Sequence, residues 1–406
     1  MVALYKGDVI SSGDKEYVFL TEPKENYRKR SNFSTWSAVV QEKDGESIFF
    51  LKFAYVRDKI ASELLEREAK FKMYYPFIEH IYEDFISEDR NGESILCVLA
   101  EYVDGVDLET YRRKTERILD EDKMFRYMMQ LLRGVRYYLE YIKDDSYVHR
   151  DLKPANIMIS EKYDKVVISD FDWAHIPKSK ATEGYATIGG TRGYADPRAL
   201  KENKTDVKMD IYGLGRIFCF WMRGRDYFTS DECEIYEKDG QEELAYSFYL
   251  DRIPFRFKEE QYVRFCAIVA KMVAEPKNRY GSISDIIEDM ENFLKEYYGG
   301  VKEYEKRFHE PLLLSIPKDY DKQYEMDVSY CWASERKRKN KLMQNYSTTD
   351  VLVGKIPVMM LYCLENKLYY VPVHPELKKL KKSDDFEVKD GDEFLFQGDR
   401  LDIGLD

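Results

Sequence analysis

The chain has 406 residues, 44 % hydrophobic and 15 % aromatic, which supports a large core and excludes wholesale disorder. Its length suggests two domains, and its net charge of −12 opposes nucleic acid and anionic membrane while favouring basic partners. No apolar run approaches the roughly 18 residues of a membrane span. The start, Met1-Val2-Ala3-Leu4-Tyr5-Lys6, lacks the basic and long apolar regions of a signal peptide. The six cysteines (97, 219, 233, 266, 331 and 363) form no CxxC pair and suit a reduced interior. A cytoplasmic protein without a membrane span is expected, with a secreted effector as the alternative.

Residues 17–102 read mainly as strands, at 17–20, 37–40, 48–52 and 95–99, with Asp44-Gly45 as a hairpin turn. A helix rich in Glu, Lys and Ala interrupts them at 58–73. Beyond 103 the pattern becomes helical. Apolar residues at 125, 128, 129, 132, 135, 139 and 142 make one stripe, and Asp120 and Asp122 stand at its acidic start. The run from Asp210 to Met222 is apolar almost all round and predicts a buried helix. Tyr297-Tyr298-Gly299-Gly300 closes a final helix and marks a domain boundary. From 300 to 406 the texture is β-rich, with strands at Val351–Val353 and Leu368–Val373 and a turn at Asp390-Gly391-Asp392. Two basic runs, at 336–339 and 378–382, read as solvated faces.

The chemistry concentrates in His149-Arg150-Asp151-Leu152-Lys153-Pro154-Ala155-Asn156, followed by Asp170-Phe171-Asp172. Asp151 can accept a proton from an attacking hydroxyl, while Asn156 and Asp170 can hold metal ions that bridge ATP phosphates. Lys153, two residues past the base, can meet the transferring phosphate. This string resembles, residue for residue, the catalytic loop of eukaryotic-type Ser/Thr protein kinases of the bacterial kind, and the resemblance spans about residues 15–298. It implies an α+β class with a bilobal kinase fold: a β-rich N-lobe over residues 1–102 and a helical C-lobe over 103–299. A small β-rich C-terminal module over 300–406 follows. ATP and Mg²⁺ or Mn²⁺ would lie between the lobes.

The resemblance assigns further residues. Lys52 matches the strand lysine that contacts phosphates, and Glu68 the helix glutamate that pairs with it, with Glu63 and Glu66 as substitutes. Thr191 matches the threonine that bonds the catalytic aspartate and lysine. Ala100 takes the gatekeeper position in the hinge, with Glu101 and Val103 beside the adenine. Arg150 resembles the arginine that receives a phosphorylated activation-loop residue, for which Ser179, Thr182, Tyr185 and Thr187 are available. Asp210 resembles the buried aspartate that braces the catalytic loop.

Five departures bear on activity. The nucleotide hairpin reads Ser31-Asn32-Phe33-Ser34-Thr35-Trp36-Ser37, without glycine. Asp172 replaces a glycine and should restrict inactive loop conformations. Lys72 occupies a position that is usually apolar. Asp196-Pro197-Arg198 replaces Ala-Pro-Glu, so Arg279 either pairs with another acid or lacks its brace. Phe50 stands where a small alanine normally roofs the adenine, opposite the undersized Ala100. The segment Phe386–Phe396 is similar to the last hairpin of a forkhead-associated domain, without the elements that bind phosphothreonine. The expected activity is Ser/Thr phosphorylation of a protein substrate, basic in character, with autophosphorylation. The alternatives are a pseudokinase scaffold and, with less support, a small-molecule phosphotransferase.

Overall fold

The computed structural model describes residues 3–28, 33–71, 73, 75–114, 120–141, 147–162, 164–175, 190–191, 193–196, 205–223, 259–301 and 303–304, with strand segments between 310 and 403. Seven strands form an antiparallel N-terminal sheet: β1 (Val9–Ser12), β2 (Lys15–Phe19), β3 (Lys24–Arg28), β4 (Phe33–Glu42), β5 (Ile48–Tyr55), β6 (Ile81–Glu88) and β7 (Ser94–Glu101). Their order is β1-β2-β4-β5-β7-β6, and β3 also pairs with β4. Strand β4 is long because two partners share one of its edges. β3 takes Phe33–Ser37 and β2 takes Val40–Glu42.

The sequence pattern does not reveal β1, β3 and β6. β6 reads Ile-Tyr-Glu-Asp-Phe-Ile-Ser-Glu, a polar edge strand with little of the β-branched character that marks an interior one. Its acids instead meet the N-terminal hairpin. Tyr17 Oη donates to Glu83 at 2.6 Å, Ser12 Oγ donates to Glu83 at 3.2 Å, and the Ser11 amide donates to Ser87 Oγ at 3.3 Å. The sheet therefore curls until its first strand leans on its last. Inside that curl lies a core that includes Ile10, Tyr17, Phe19, Leu51, Phe53 and Leu99.

The other face of the sheet carries helix α1 (Lys59–Ala69), which packs Ala61, Leu64 and Leu65 against Val98 and Ala100. Asp58 caps α1 by accepting the Ala61 amide at 3.2 Å. With both faces covered, β7 is buried from Ile95 to Ala100, which explains its unbroken apolar run. α1 stops at Ala69, four residues before the expected end.

The helical region contains β8 (Val106–Asp107), α2 (Leu108–Lys114), α3 (Glu121–Arg136), β9 (Ile157–Ser160), β10 (Lys165–Ile168), α4 (Lys208–Arg223), α5 (Glu259–Val273) and α6 (Ile283–Tyr297). The predicted stripe on α3 is buried at Phe125, Met128, Met129, Leu132 and Val135, and Asp120 caps the helix through the Lys123 amide at 3.1 Å. α4 buries Ile211, Leu214, Ile217, Phe218 and Cys219, so the apolar helix is the pillar of this lobe. Gly105 admits the chain between the lobes. A Cβ there would stand 2.1 Å from the Ile159 carbonyl oxygen, where β8 begins to pair with β9.

Beyond 304 the described residues are strands. β11 (Glu310–Lys318) pairs with β12 (Lys322–Tyr330). β13 (Thr349–Val353), β14 (Ile356–Leu364), β15 (Lys367–Pro372) and β17 (Glu387–Val388) make a second sheet, while β16 (Lys378–Lys379), β18 (Asp392–Phe396) and β19 (Asp399–Ile403) make a third. Among the described residues, Glu387–Val388 bonds to Leu368–Tyr369, and β18 bonds to β16 and β19. Phe386, Asp390 and Gly391 of the forkhead-like segment lie outside the described residues.

Gly299 and Gly300 do end α6, with φ of 81° and 134°. Yet Tyr304, four residues on, is fully buried in the helical core, with Lys295 over its ring. Packing of the lobe thus runs past the glycines. Tyr304→Ala should cost roughly 3–5 kcal/mol in urea denaturation, as large-to-small aromatic core changes do. Unchanged stability would place the end of this core at Gly300.

Candidate active site

Lys52 lies on β5, opposite Ser37 of β4 and Val98 of β7, so the sheet holds its stem from both sides. Its side chain is 14 % exposed, and its ammonium meets three carboxylates. It donates to Glu68 Oε1 on α1, stands 3.4 Å from Asp170 Oδ1, and stands 3.7 Å from Glu79 Oε2. Burial works against the charge of Lys52, but Glu68, Glu79 and Asp170 outweigh it and hold the ammonium well above its ordinary pKa. The lysine's helix partner is thus Glu68, not Glu63 or Glu66. Glu79 was not read from the sequence. Its signal is an acid inside the apolar run Phe77-Ile78-Glu79-His80-Ile81.

The loop from His149 to Asn156 is held from below by α4. Asp210 accepts the His149 amide at 2.7 Å, the Arg150 amide at 2.9 Å and the Tyr138 hydroxyl at 3.0 Å. Those bonds fix Arg150 at a φ of 68°, a left-handed conformation that arginine seldom adopts. Asp151, 5 % exposed, then points to a polar triangle. Thr191 Oγ1 donates to Asp151 Oδ1 at 2.8 Å, Lys153 Nζ donates to Asp151 Oδ2 at 2.5 Å, and Lys153 Nζ reaches Thr191 Oγ1 at 3.2 Å. Asn156 Nδ2 donates to the Asp151 carbonyl at 2.9 Å, which leaves Asn156 Oδ1 as the atom suited to a hard cation.

Asp170 also has left-handed backbone, with φ 68° and ψ 64°, and its carboxylate is more exposed than those of Glu68 and Glu79. Phe171 anchors it. The ring stacks on Phe71 at 5.2 Å, meets Tyr138 edge-on at 5.8 Å and lies 4.6 Å from His149. The aromatic partner beneath α1 is therefore Phe71, and Lys72 lies outside the described residues. Asp172 does not have positive φ, so its backbone has no need of glycine.

The open alternative for Arg279 resolves in favour of another acid. Arg279 Nη1 is 2.6 Å from Asp196 Oδ2 and 2.7 Å from the Lys208 carbonyl, and both side chains of the ion pair are buried. The brace therefore survives with a shorter acid. In the hinge, Ala100 is fully buried and pairs in register with Phe50, which is half-buried on the same face of the sheet. Glu101 directs its carboxylate to Lys165 Nζ at 2.7 Å, a tie from hinge to β10, and Val103 is buried beside it.

Within the nucleotide hairpin, Phe33–Ser37 run on β4 and pair antiparallel with Lys24–Arg28 of β3. Residues 29–32 lie outside the described residues, as do Ser179, Thr182, Tyr185, Thr187, Pro197 and Arg198.

Residues 32–294 match the family model described as protein kinase domain. The chain is 28 % identical over 240 residues to RAC-beta serine/threonine-protein kinase of Rattus norvegicus, covering 58 % of this chain and 45 % of that protein. It is also 28 % identical over 244 residues to probable serine/threonine-protein kinase PknB of Bifidobacterium longum, covering 58 % and 33 % respectively. The mitogen-activated protein kinase hog1 of Blastobotrys adeninivorans is 39 % identical over 129 residues, covering 32 % of this chain and 30 % of its own. The chain spans less than half the length of each of these relatives. With the model matching well over half of the chain, and with a lysine, two aspartates and an asparagine set around one cleft, this protein belongs to the eukaryotic-type serine/threonine protein kinase family.

Proposed function

We propose that this chain transfers the γ-phosphate of ATP to serine or threonine hydroxyls of protein substrates, and that it phosphorylates itself. The observation that carries this reading is the triangle of Asp151, Lys153 and Thr191. Asp151 would accept the proton of the attacking hydroxyl, and Lys153 would offset charge on the transferring phosphate. Thr191 holds both groups in place. Lys52 would bind nucleotide phosphates while Glu68 keeps it extended across the cleft. The oxygens of Asp170 and Asn156 suit Mg²⁺ or Mn²⁺, which when bound neutralises phosphate charge and orients the phosphates. The backbone of Glu101 and Val103 would bind the adenine edge beside Ala100.

Arg150 supports a role in loop ordering. Burial pulls its guanidinium down to about 10, the nearby charge of Arg67 adds to this, and Asp210 opposes it. An anion placed between Arg67 and Arg150 would relieve that repulsion, which suits a phosphorylated residue of the activation segment. Among the described residues no helix is long and apolar enough to cross a membrane. Action in the cytoplasm on a basic protein substrate fits the net charge of −12. The strands from 310 to 403 would form a separate β module that selects substrate or regulates the lobes.

Incubation with labelled ATP and Mg²⁺ should give phosphoserine or phosphothreonine in the native chain. Asp151→Asn should reduce incorporation by roughly 10² or more. Equal labelling of the two proteins would sink the enzyme reading and favour a pseudokinase scaffold.

Ala100 would leave room beside the adenine amino group, and Phe50 pairs with it directly across the two strands. The native pocket should accept bulky pyrazolopyrimidine inhibitors that Ala100→Met excludes, with a difference of roughly 10- to 100-fold in affinity. If titration finds native and Ala100→Met proteins alike, Phe50 fills that space.

A further inference from the structure

Lys52 has one more acidic partner than its pairing with Glu68 and Asp170 requires. Glu79 is buried, at 4 % exposure, just ahead of β6, and its Oε2 is 3.7 Å from Lys52 Nζ. Its backbone is pinned to the strand that leads into Asp170. The Glu79 amide donates to the Ile168 carbonyl at 2.8 Å, the Ile168 amide donates to the Phe77 carbonyl at 2.9 Å, and Ile78 bridges Ile168 in parallel. The carboxylate accepts the Asp170 amide at 3.4 Å. Glu68, by contrast, rides on α1, a helix that packs on the sheet through a small apolar stripe.

The two acids therefore differ in how they are held. Glu68 moves with a helix, whereas Glu79 is fastened to both the N-terminal sheet and β10. We propose that Glu79 is a positioning residue, a strand-anchored second acid that keeps Lys52 aligned when Glu68 is withdrawn. The inference rests on the kinase reading of this cleft. Burial pushes the Glu79 carboxyl up, and the charge of Glu68 adds to the rise, while Lys52 and the Asp170 amide pull the other way. In either protonation state it presents Lys52 with an acceptor oxygen.

The consequence is coupling between two acids that would otherwise act alone. A double-mutant cycle on the full chain tests it, with Glu68→Ala, Glu79→Val and the double variant. Two readouts are taken: the dissociation constant for ATP with EDTA present, and kcat and KM for labelled-phosphate transfer with Mg²⁺. Glu68→Ala should cost less than about tenfold in ATP affinity and kcat/KM in the native background, and at least about a hundredfold in the Glu79→Val background. Glu79→Gln should restore part of the loss, because its side-chain oxygen still accepts from Lys52. If Glu79→Val does not fold, Glu79→Gln runs the same cycle and should show the same sign of coupling. A merely structural role would shift the melting temperature while leaving the Glu68→Ala effect equal in both backgrounds, and that outcome overturns the proposal. Coupled ATP binding without phosphate transfer would instead overturn the kinase reading and keep the role of Glu79. Failure of the native chain to bind ATP would overturn both.

Discussion

A lysine ammonium with little access to water must be surrounded by anions, and this requirement at Lys52 organises the cleft. Glu68, Glu79 and Asp170 come from a helix, a strand entry and a loop, so one charge draws three separate elements together. Three carboxylates around one ammonium leave an excess of negative charge, which is costly in a buried site. Asp170, the most exposed of the three, can relieve that excess by turning to a cation. The arrangement is thus a resting pairing whose most accessible member would have a second use under the proposed reading. Glu68 and Glu79 are too deeply buried to share that use.

Backbone geometry sets the rest. Arg150 and Asp170 both hold left-handed conformations, which cost free energy unless neighbours impose them. For Arg150 the neighbour is Asp210, whose two oxygens capture consecutive amides of the loop. Asp210 is itself buried on α4, and burial raises its pKa while the amides of His149 and Arg150 and the hydroxyl of Tyr138 oppose the rise. For Asp170 the imposing neighbour is packing, since Phe171 is held among Phe71, Tyr138 and His149. The loop from His149 to Asn156 is therefore held to α4 by hydrogen bonds, and the loop of Asp170 is held to Phe71, Tyr138 and His149 by aromatic contact.

How much of this was legible in the sequence depends on the range of each interaction. The loop from His149 to Asn156 could be read at once because its chemistry is contiguous. The helices α3 and α4 could be read because their apolar patterns are local and long. The edge strands could not, because β1 and β6 are stabilised by each other's polar groups, some seventy residues apart. The pairing of Arg279 with Asp196 was left open for a similar reason: a one-methylene shorter acid serves once the backbone brings it close. Glu79 escaped notice because a lone glutamate before a strand is ordinary in sequence, and only its burial against Lys52 makes it unusual.

The N-terminal hairpin connects these points. The matched family region begins at residue 32, so β1, β2 and β3 lie ahead of it. β2 takes the edge of β4 next to β3, and β1 leans on β6 at the far side of the sheet. Phe49, Leu51 and Phe53 on β5 are consequently buried toward the hairpin, on the stretch of strand that carries Lys52. That packing fixes one face of β5, while Phe50 and Lys52 on the opposite face stay half-buried. Lys52 is thus backed by a buried strand and met in front by Glu68, Glu79 and Asp170, so the core that seats the strand also sets where those three acids must converge.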